Sequence, residues 1–205
     1  GGIGNKLVTG NKNIKSYIRK SEKEEYEFKI ANNVNSMERF QDLKSESKKR
    51  EGEKPFRNLP FWKKHWQIMK NNGFEELVTA EYKNKIEGTI LVLFFNGNMI
   101  QHALANSPEK DLVGTFLTWN TIKWAQKMKF KTFDFAGVDP LPKTKKEKGI
   151  YFYAEKFGGK KINFFSYSKI LNQKKYYLTS GLQNPKRIIS KYQSYKDKKI
   201  IKSNE

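Results

Sequence analysis

Cysteine is missing from this chain of 205 residues. That excludes a disulfide framework, a thiolate metal site and a cysteine nucleophile. Histidine is nearly missing: His65 and His102 are the only two, so no histidine-rich metal motif is present. No run of eighteen apolar residues occurs, about the length a membrane-spanning helix needs. Gly1 to Thr9 contains only Ile3, Leu7 and Val8 as large apolar residues, too few for the core of a signal peptide. Gly1-Gly2 reads as a cloning remnant. These absences predict a cytoplasmic protein with no metal and no transmembrane segment.

Acidic residues are scarce as well. Twenty-one Asp and Glu face 41 Lys and Arg, a formal net charge of +20. Such an imbalance invites a polyanionic partner. Yet only five of the basic residues are arginine, and lysine lacks the planar fork that grips phosphate bidentately. The lysines are scattered, and the chain is crowded with Asn and Ile, as an A+T-rich gene would encode without selection for binding. The two explanations stand level.

What is present is periodic. No internal repeat occurs. Ile14, Tyr17 and Ile18 predict a helical turn, and Tyr26, Phe28 and Ile30 alternate like a strand. Asn35 and Glu38 have capping-box spacing ahead of a helix carrying Met37, Phe40 and Leu43 on one face. A linker over Glu51 to Leu59 follows, then a helix opened by Pro60, with Phe61, Trp62, His65, Trp66 and Met69, closed at Gly73. Strands are expected over Leu77–Tyr82, Ile86–Phe95 and Met99–Ala105, the last two joined by the hairpin dipeptide Asn96-Gly97. Ser107-Pro108 reads as the start of a long helix running to about Met128. Thr132–Phe135 reads as a short strand, Asp139–Lys148 as a lysine-rich loop, Tyr151–Phe157 as a short helical aromatic segment and Ile162–Tyr167 as a final strand. The layout is α+β: a mixed central sheet flanked by helices. An open sheet of that kind leaves a ligand crevice where the pairing switches direction.

Leu112 to Gly159 carries a recognisable ordered set. Trp124-Ala125 ends the long helix, Phe133-Asp134-Phe135-Ala136-Gly137 fills a strand motif, and Gly149-Ile150-Tyr151 with Phe157-Gly158-Gly159 closes it. The set resembles the Fem-type (FemABX) peptidyltransferase family of the GNAT acyltransferase superfamily, over roughly residues 14–168. The resemblance implies a GNAT-like fold. It also implies transfer of an amino acid from aminoacyl-tRNA to an amine of a peptidoglycan precursor peptide, in cross-bridge synthesis, with no metal or cofactor. Two features depart from the family. One repeat is present where full enzymes have two, so a second GNAT-like domain is an implied partner. Ala154 stands where the family has a charge-stabilising lysine. The expected organisation is a disordered or vector-derived N-terminus over 1–13, a single Fem-type domain over 14–180, and a basic tail or helix over 181–205.

Aminolysis of an ester or thioester needs a proton acceptor and oxyanion donors. Asp134, mid-strand among aromatics, is a candidate to orient the amine or take its proton, or else a carboxylate that shapes the following turn. Lys156 is the cation next to Ala154, though two residues on a helix separate directions by about 200°. Arg57, Phe61, His102, Tyr153, Gly137 and Gly158 are candidate substrate contacts. Phe61, Trp62 and Trp66 are equally core residues by their spacing, His65 reads as structural, and His102 is otherwise a bonded strand histidine. Lys143, Lys145, Lys146, Lys148 and Arg50 are candidate contacts to tRNA or other phosphates, against simple solvated charge. The stretch 106–115 has one glycine, Gly114, and lacks the paired glycines of a pyrophosphate cradle, which disfavours acyl-coenzyme A as donor. Other readings are an N-acyltransferase with a different donor, and an inactive domain that binds RNA or protein.

Overall fold

The computed structural model describes residues 12–50, 52, 57–110, 112–139, 141–164, 167, 169–173, 175 and 176. The expected basic tail, most of the expected N-terminal segment and most of the linker before the third helix lie outside the described residues. The element order is α1 (Lys12–Ser21), β1 (Tyr26–Ile30), α2 (Ser36–Arg50), α3 (Leu59–Asn71), β2 (Glu75–Tyr82), β3 (Lys85–Phe95), β4 (Asn98–Asn106), α4 (Val113–Lys127), β5 (Thr132–Asp134) and α5 (Lys145–Lys156). The chain divides into two units, 1–161 and 162–205. All ten elements belong to the first. In the second, Asn172 starts a helical turn, its Oδ1 accepting from the Lys175 N–H at 3.0 Å.

The five strands lie side by side in chain order. β1 to β4 pair antiparallel and β4 pairs parallel with β5, which is the mixed sheet expected. Two tight turns set the antiparallel register. Lys83 and Asn84 have φ of 49° and 63°, and Asn96 and Gly97 have 48° and 74°. Both central residues are left-handed in each, the twist a two-residue hairpin needs. β3 is central, and Thr89 to Leu91 are buried with Val92 beneath helices on both faces. That is why its sequence reads as a continuous apolar run rather than an alternation.

Helices cover the two faces separately. On one, α4 packs Val113, Phe116, Leu117 and Ala125 against Val78, Ala80, Ile90, Val92 and Met99. Gly88 lets it close in: a Cβ there would stand 3.0 Å from Val113 Cγ2. On the other, Met37 and Phe40 of α2 and Trp62 and Trp66 of α3 pack on Leu77, Leu91 and Ala103. Each such side chain contributes about 1.5–3 kcal/mol on burial. A smaller cluster, Ile14, Ile18, Ile122 and Phe157, ties α1 to α4 and α5.

Four expectations are corrected. Asn33 rather than Asn35 caps α2, its Oδ1 accepting from the Ser36 N–H at 3.2 Å. The long helix begins at Val113, not at Pro108: Ser107 to Lys110 form a separate turn, closed by a 3.5 Å bond from the Lys110 N–H to the Ser107 carbonyl. The lysine loop ends early, because Thr144 and Glu147 form a reciprocal capping box that starts α5 at Lys145. Finally, residues 162–164 and 167 are not in a strand.

Candidate active site at the parting of β4 and β5

The parallel ladder between β4 and β5 is three residues long: Asn98, Met99 and Ile100 face Thr132, Phe133 and Asp134. Beyond it β4 continues to Asn106 with β3 on its other side, while the chain after Asp134 is irregular. A bulge sits just past the parting. Val92 pairs with Gln101 and Leu91 with Ala103, so His102 is the extra residue. Bulges bend and twist a strand and leave one residue out of the ladder. Here the extra residue falls just past the end of the β4–β5 ladder, where no described strand pairs with the outer edge of β4. Gln101 and Thr118 line the interior side, with Thr118 Oγ1 3.5 Å from Gln101 Oε1.

The β5–α5 side of this parting holds one group of expected residues. Asp134 ends β5 half-buried, and its Oδ1 accepts from the Ala136 N–H at 2.8 Å. The positive φ that this turn requires falls on Ala136 (64°), not on Gly137, which is exposed with open space around it. Gly158 does take a positive φ, 80°, and ends α5. Tyr153 reaches from α5 to α4: its hydroxyl donates to the Gly114 carbonyl at 2.9 Å and lies 2.8 Å from Thr118 Oγ1. Burial pushes this phenol well above its ordinary pKa, so it stays protonated. It clamps α5 to the first turns of α4. Lys156 is exposed at the end of the helix. Lys145, Lys146 and Lys148 occupy the first turn of α5, and Lys143 precedes it in the loop.

The α2–α3 face holds the other group. The Arg57 guanidinium lies 4.5 Å from the Phe61 ring centre. Phe61 in turn stacks on His65, 5.7 Å away at 16°. His65 Nε2 lies 2.9 Å from Glu75 Oε2. His102 is exposed, and its pKa is lowered first by partial loss of solvent, then by the charges of Lys44 and His65. It is therefore neutral near pH 7. Arg50 ends α2 on the surface. Thus Arg57 and Phe61 are brought together, whereas Asp134 and Tyr153 belong to the other side of the parting. Sequence reasoning missed Glu75, because an acidic residue opening a strand next to Glu76 looks like surface. Among the described residues no cluster of His, Cys, Asp or Glu is arranged to hold a metal.

A mixed sheet whose one parallel ladder ends beside a β4 bulge, with one helix after β4 and another after β5, is the GNAT fold, and the sequence agrees. Residues 10–146 match the acetyltransferase (GNAT) domain family, and the chain belongs to that family. No curated protein sequence matches. The fold is similar to that of FemX, with a TM-score of 0.65 and 13% identity over 73% of this chain and 54% of that one. The chain thus spans about half the length of FemX. It is also similar to a predicted acetyltransferase from Clostridium acetobutylicum solved with acetyl-CoA (TM-score 0.52, 12% identity, 71% of this chain and 97% of that one). The aminoglycoside N-acetyltransferase AAC(6')-Iy in complex with CoA is a third (0.52, 9%, 72% and 95%). At these identities the likeness is one of fold. No helix of the described residues is long and apolar enough to cross a membrane.

Proposed function

We propose that this domain is a Fem-type aminoacyltransferase of the cytoplasm, moving an amino acid from aminoacyl-tRNA to an amine of a peptidoglycan precursor peptide. The observation that supports the choice of donor is the start of α4, where Gly114 stands without a second glycine beside it. A coenzyme A pyrophosphate needs close approach to backbone at a helix N-terminus. A Cβ at Gly114 would meet Asn106 Oδ1 and the Tyr153 hydroxyl at 3.6 and 3.9 Å, ordinary contact distances. An acyl ester on a nucleic acid does not need that cradle, and its phosphates suit Lys143, Lys145, Lys146 and Lys148.

In this scheme the acyl carbonyl enters the parting beside the bulge. Backbone N–H groups on the outer edge of β4 are the donors that a developing oxyanion requires. Asp134 orients the amine, and Gly137 and Gly158 leave room for the chain of the substrate. Arg57, Arg50 and Phe61 contact the acceptor on the opposite face. FemX, by its likeness in fold, supports the peptidoglycan assignment and a second GNAT-like domain as partner. Ala154 favours a second reading, an inactive domain that binds RNA or protein.

Titration with a tRNA pool and with acetyl-coenzyme A, each at two salt concentrations, separates the donors. Expected is saturable tRNA binding, weakened several-fold in Lys145→Ala, no coenzyme A binding, and transfer of a labelled amino acid from charged tRNA to a peptide bearing a free amine. Binding of acetyl-coenzyme A would replace this reading with an ordinary acetyltransferase. Binding of tRNA without transfer would favour the inactive domain.

A further inference from the structure

β1 ends the sheet on the side away from β5, and among the described residues no strand lies on its far edge. The ladder with β2 fixes what that edge presents. The Ala31 N–H donates to the Leu77 carbonyl at 2.8 Å. In the register that pairs Lys29 with Thr79 and Glu27 with Glu81, residues 27 and 29 likewise turn their N–H and C=O groups toward β2. In an antiparallel ladder such pairs alternate with pairs whose backbone groups point away. The N–H and C=O of Phe28 and Ile30 are therefore directed outward, and among the described residues nothing bonds them. α4 packs on one face of the strand through ring contacts, Tyr26 to Phe116 at 5.3 Å and Phe28 to Trp124 at 6.5 Å. Ile30, on the same face, is left 42% exposed.

Open edges are ordinarily guarded by proline, by a bulge or by an unpaired lysine. β1 has no proline, and its register with β2 runs without a bulge. Lys29 is no guard, because its charge is answered: Nζ lies 2.6 Å from Glu81 Oε2 and 3.0 Å from Glu27 Oε2. The strand sequence, Tyr-Glu-Phe-Lys-Ile, is also complementary to itself. Reversed upon a second copy about Phe28, it sets the outward backbone groups of Phe28 against those of the copy's Phe28. On the α4 face Tyr26 then stands opposite Ile30 of the copy, an aromatic against a β-branched side chain. On the other face Glu27 stands opposite Lys29 of the copy, and the reverse pair forms by symmetry. The neighbouring registers that keep the outward groups paired set Glu27 against Glu27, or Lys29 against Lys29. Like charges directly opposite are destabilising, so the strand specifies one register.

We infer that β1 is a self-association surface: it pairs antiparallel with β1 of a second copy, centred on Phe28, and joins the two five-stranded sheets into one. The arrangement is a closed two-fold, in which the same patch serves both copies. Backbone hydrogen bonds supply the attachment, and the two Glu27–Lys29 pairs set the register. A net charge of +20 on each copy opposes the approach. At about 0.15 M salt the Debye length is about 8 Å, so the distant repulsion is screened while opposed side chains still meet. Dimerisation is therefore expected to tighten between about 0.01 and 0.15 M salt. The parting of β4 and β5 lies at the other end of the sheet, outside the contact. The inference is independent of the acyl donor.

Sedimentation equilibrium of the whole chain at about 0.15 M salt tests it, with protein up to about 100 µM, the weak end for specific interfaces. The wild type is expected to dimerise. Lys29→Glu sets glutamates opposite one another and should raise the dimer Kd about tenfold. Exchanging both charges, Glu27→Lys with Lys29→Glu, should restore it. A role of Lys29 confined to its own chain, through Glu81, would not be restored by that exchange. A cross-link reads the register directly, because the chain has no cysteine of its own. In Glu27→Cys with Lys29→Cys, opposed Cα atoms stand about 4.5 Å apart, within disulfide reach. Mild oxidation should give a covalent dimer. Either substitution alone leaves the two thiols on a diagonal of about 7–8 Å and should cross-link far more slowly. A monomeric wild type overturns the inference. So does a dimer that the double cysteine variant fails to cross-link, or one that the single variants cross-link equally fast. If the charge variants fail to fold, the cross-link decides.

Discussion

Tyr153 shows how one side chain can hold a site without belonging to its chemistry. Its hydroxyl is the only polar atom of the side chain, and that atom is committed to Gly114 and Thr118 inside the protein. Removing it leaves the Gly114 carbonyl and the Thr118 hydroxyl short of a partner in a dry place. Such a loss costs about 1–3 kcal/mol. Tyr153→Phe is therefore expected to lower the thermal midpoint by several degrees with the fold retained, as followed by circular dichroism. If the midpoint does not move, α5 is held by the Phe157 cluster instead. Among single residues the sequence was only partly readable. Tyr153 could be flagged from the family motif, but its partners lie about 40 residues away on α4, and no spacing rule reaches that far. Glu75 was unreadable for a related reason: what buries it is α3, a helix whose packing is settled in three dimensions.

At the level of elements, local chemistry was legible wherever it was self-contained. Asn96-Gly97 specified its hairpin because the turn type depends on two residues alone. Asn58, whose Oδ1 accepts from the Phe61 N–H at 3.2 Å, and Pro60 opened α3 for similar reasons. Misreadings came where two local signals competed. Ser107-Pro108 is a fair helix start, but Ser107 is tied to β3 through a 2.8 Å bond from its N–H to the Glu87 carbonyl. Thr144 and Glu147 were hidden within a lysine run that looked like solvated loop. Their box makes a prediction for α5. Backbone N–H groups of Thr144 and Lys143 hold the Glu147 carboxyl below its ordinary value of 4.5. A depressed carboxylate contributes stability above its unfolded pKa and loses it as pH falls through the folded one. The protection of the amides in Lys145 to Lys156, taken relative to their intrinsic exchange at each pH, is thus expected to fall below about pH 4.5 before the sheet opens. Thr144→Ala should weaken the helix by about 1 kcal/mol at neutral pH. Unchanged α5 protection in that variant would mean that packing, not the cap, holds the helix.

Across the whole molecule, charge is the strongest long-range influence. A net charge of +20 on 205 residues repels itself, and ion pairs such as Lys63–Glu38 and Lys123–Glu22 are partly exposed, where each contributes about 0–1 kcal/mol. Screening should therefore stabilise the fold. The thermal midpoint is expected to rise as ionic strength goes from about 0.01 M to 0.15 M, over which the Debye length shrinks from about 30 to 8 Å. A falling midpoint would show that attractive pairs outweigh the repulsion. The sheet carries a different lesson. Counted along its ladders, β4 holds one residue more than β3 can pair with. Without His102, Gln101 and Ala103 would be neighbours opposite Val92 and Leu91, the partners they already have. The irregularity in β4 is thus written as strand length. Exchanging the side chain at that position changes what the bulge presents, while the loss of a single codon there would leave the ladder with β3 continuous.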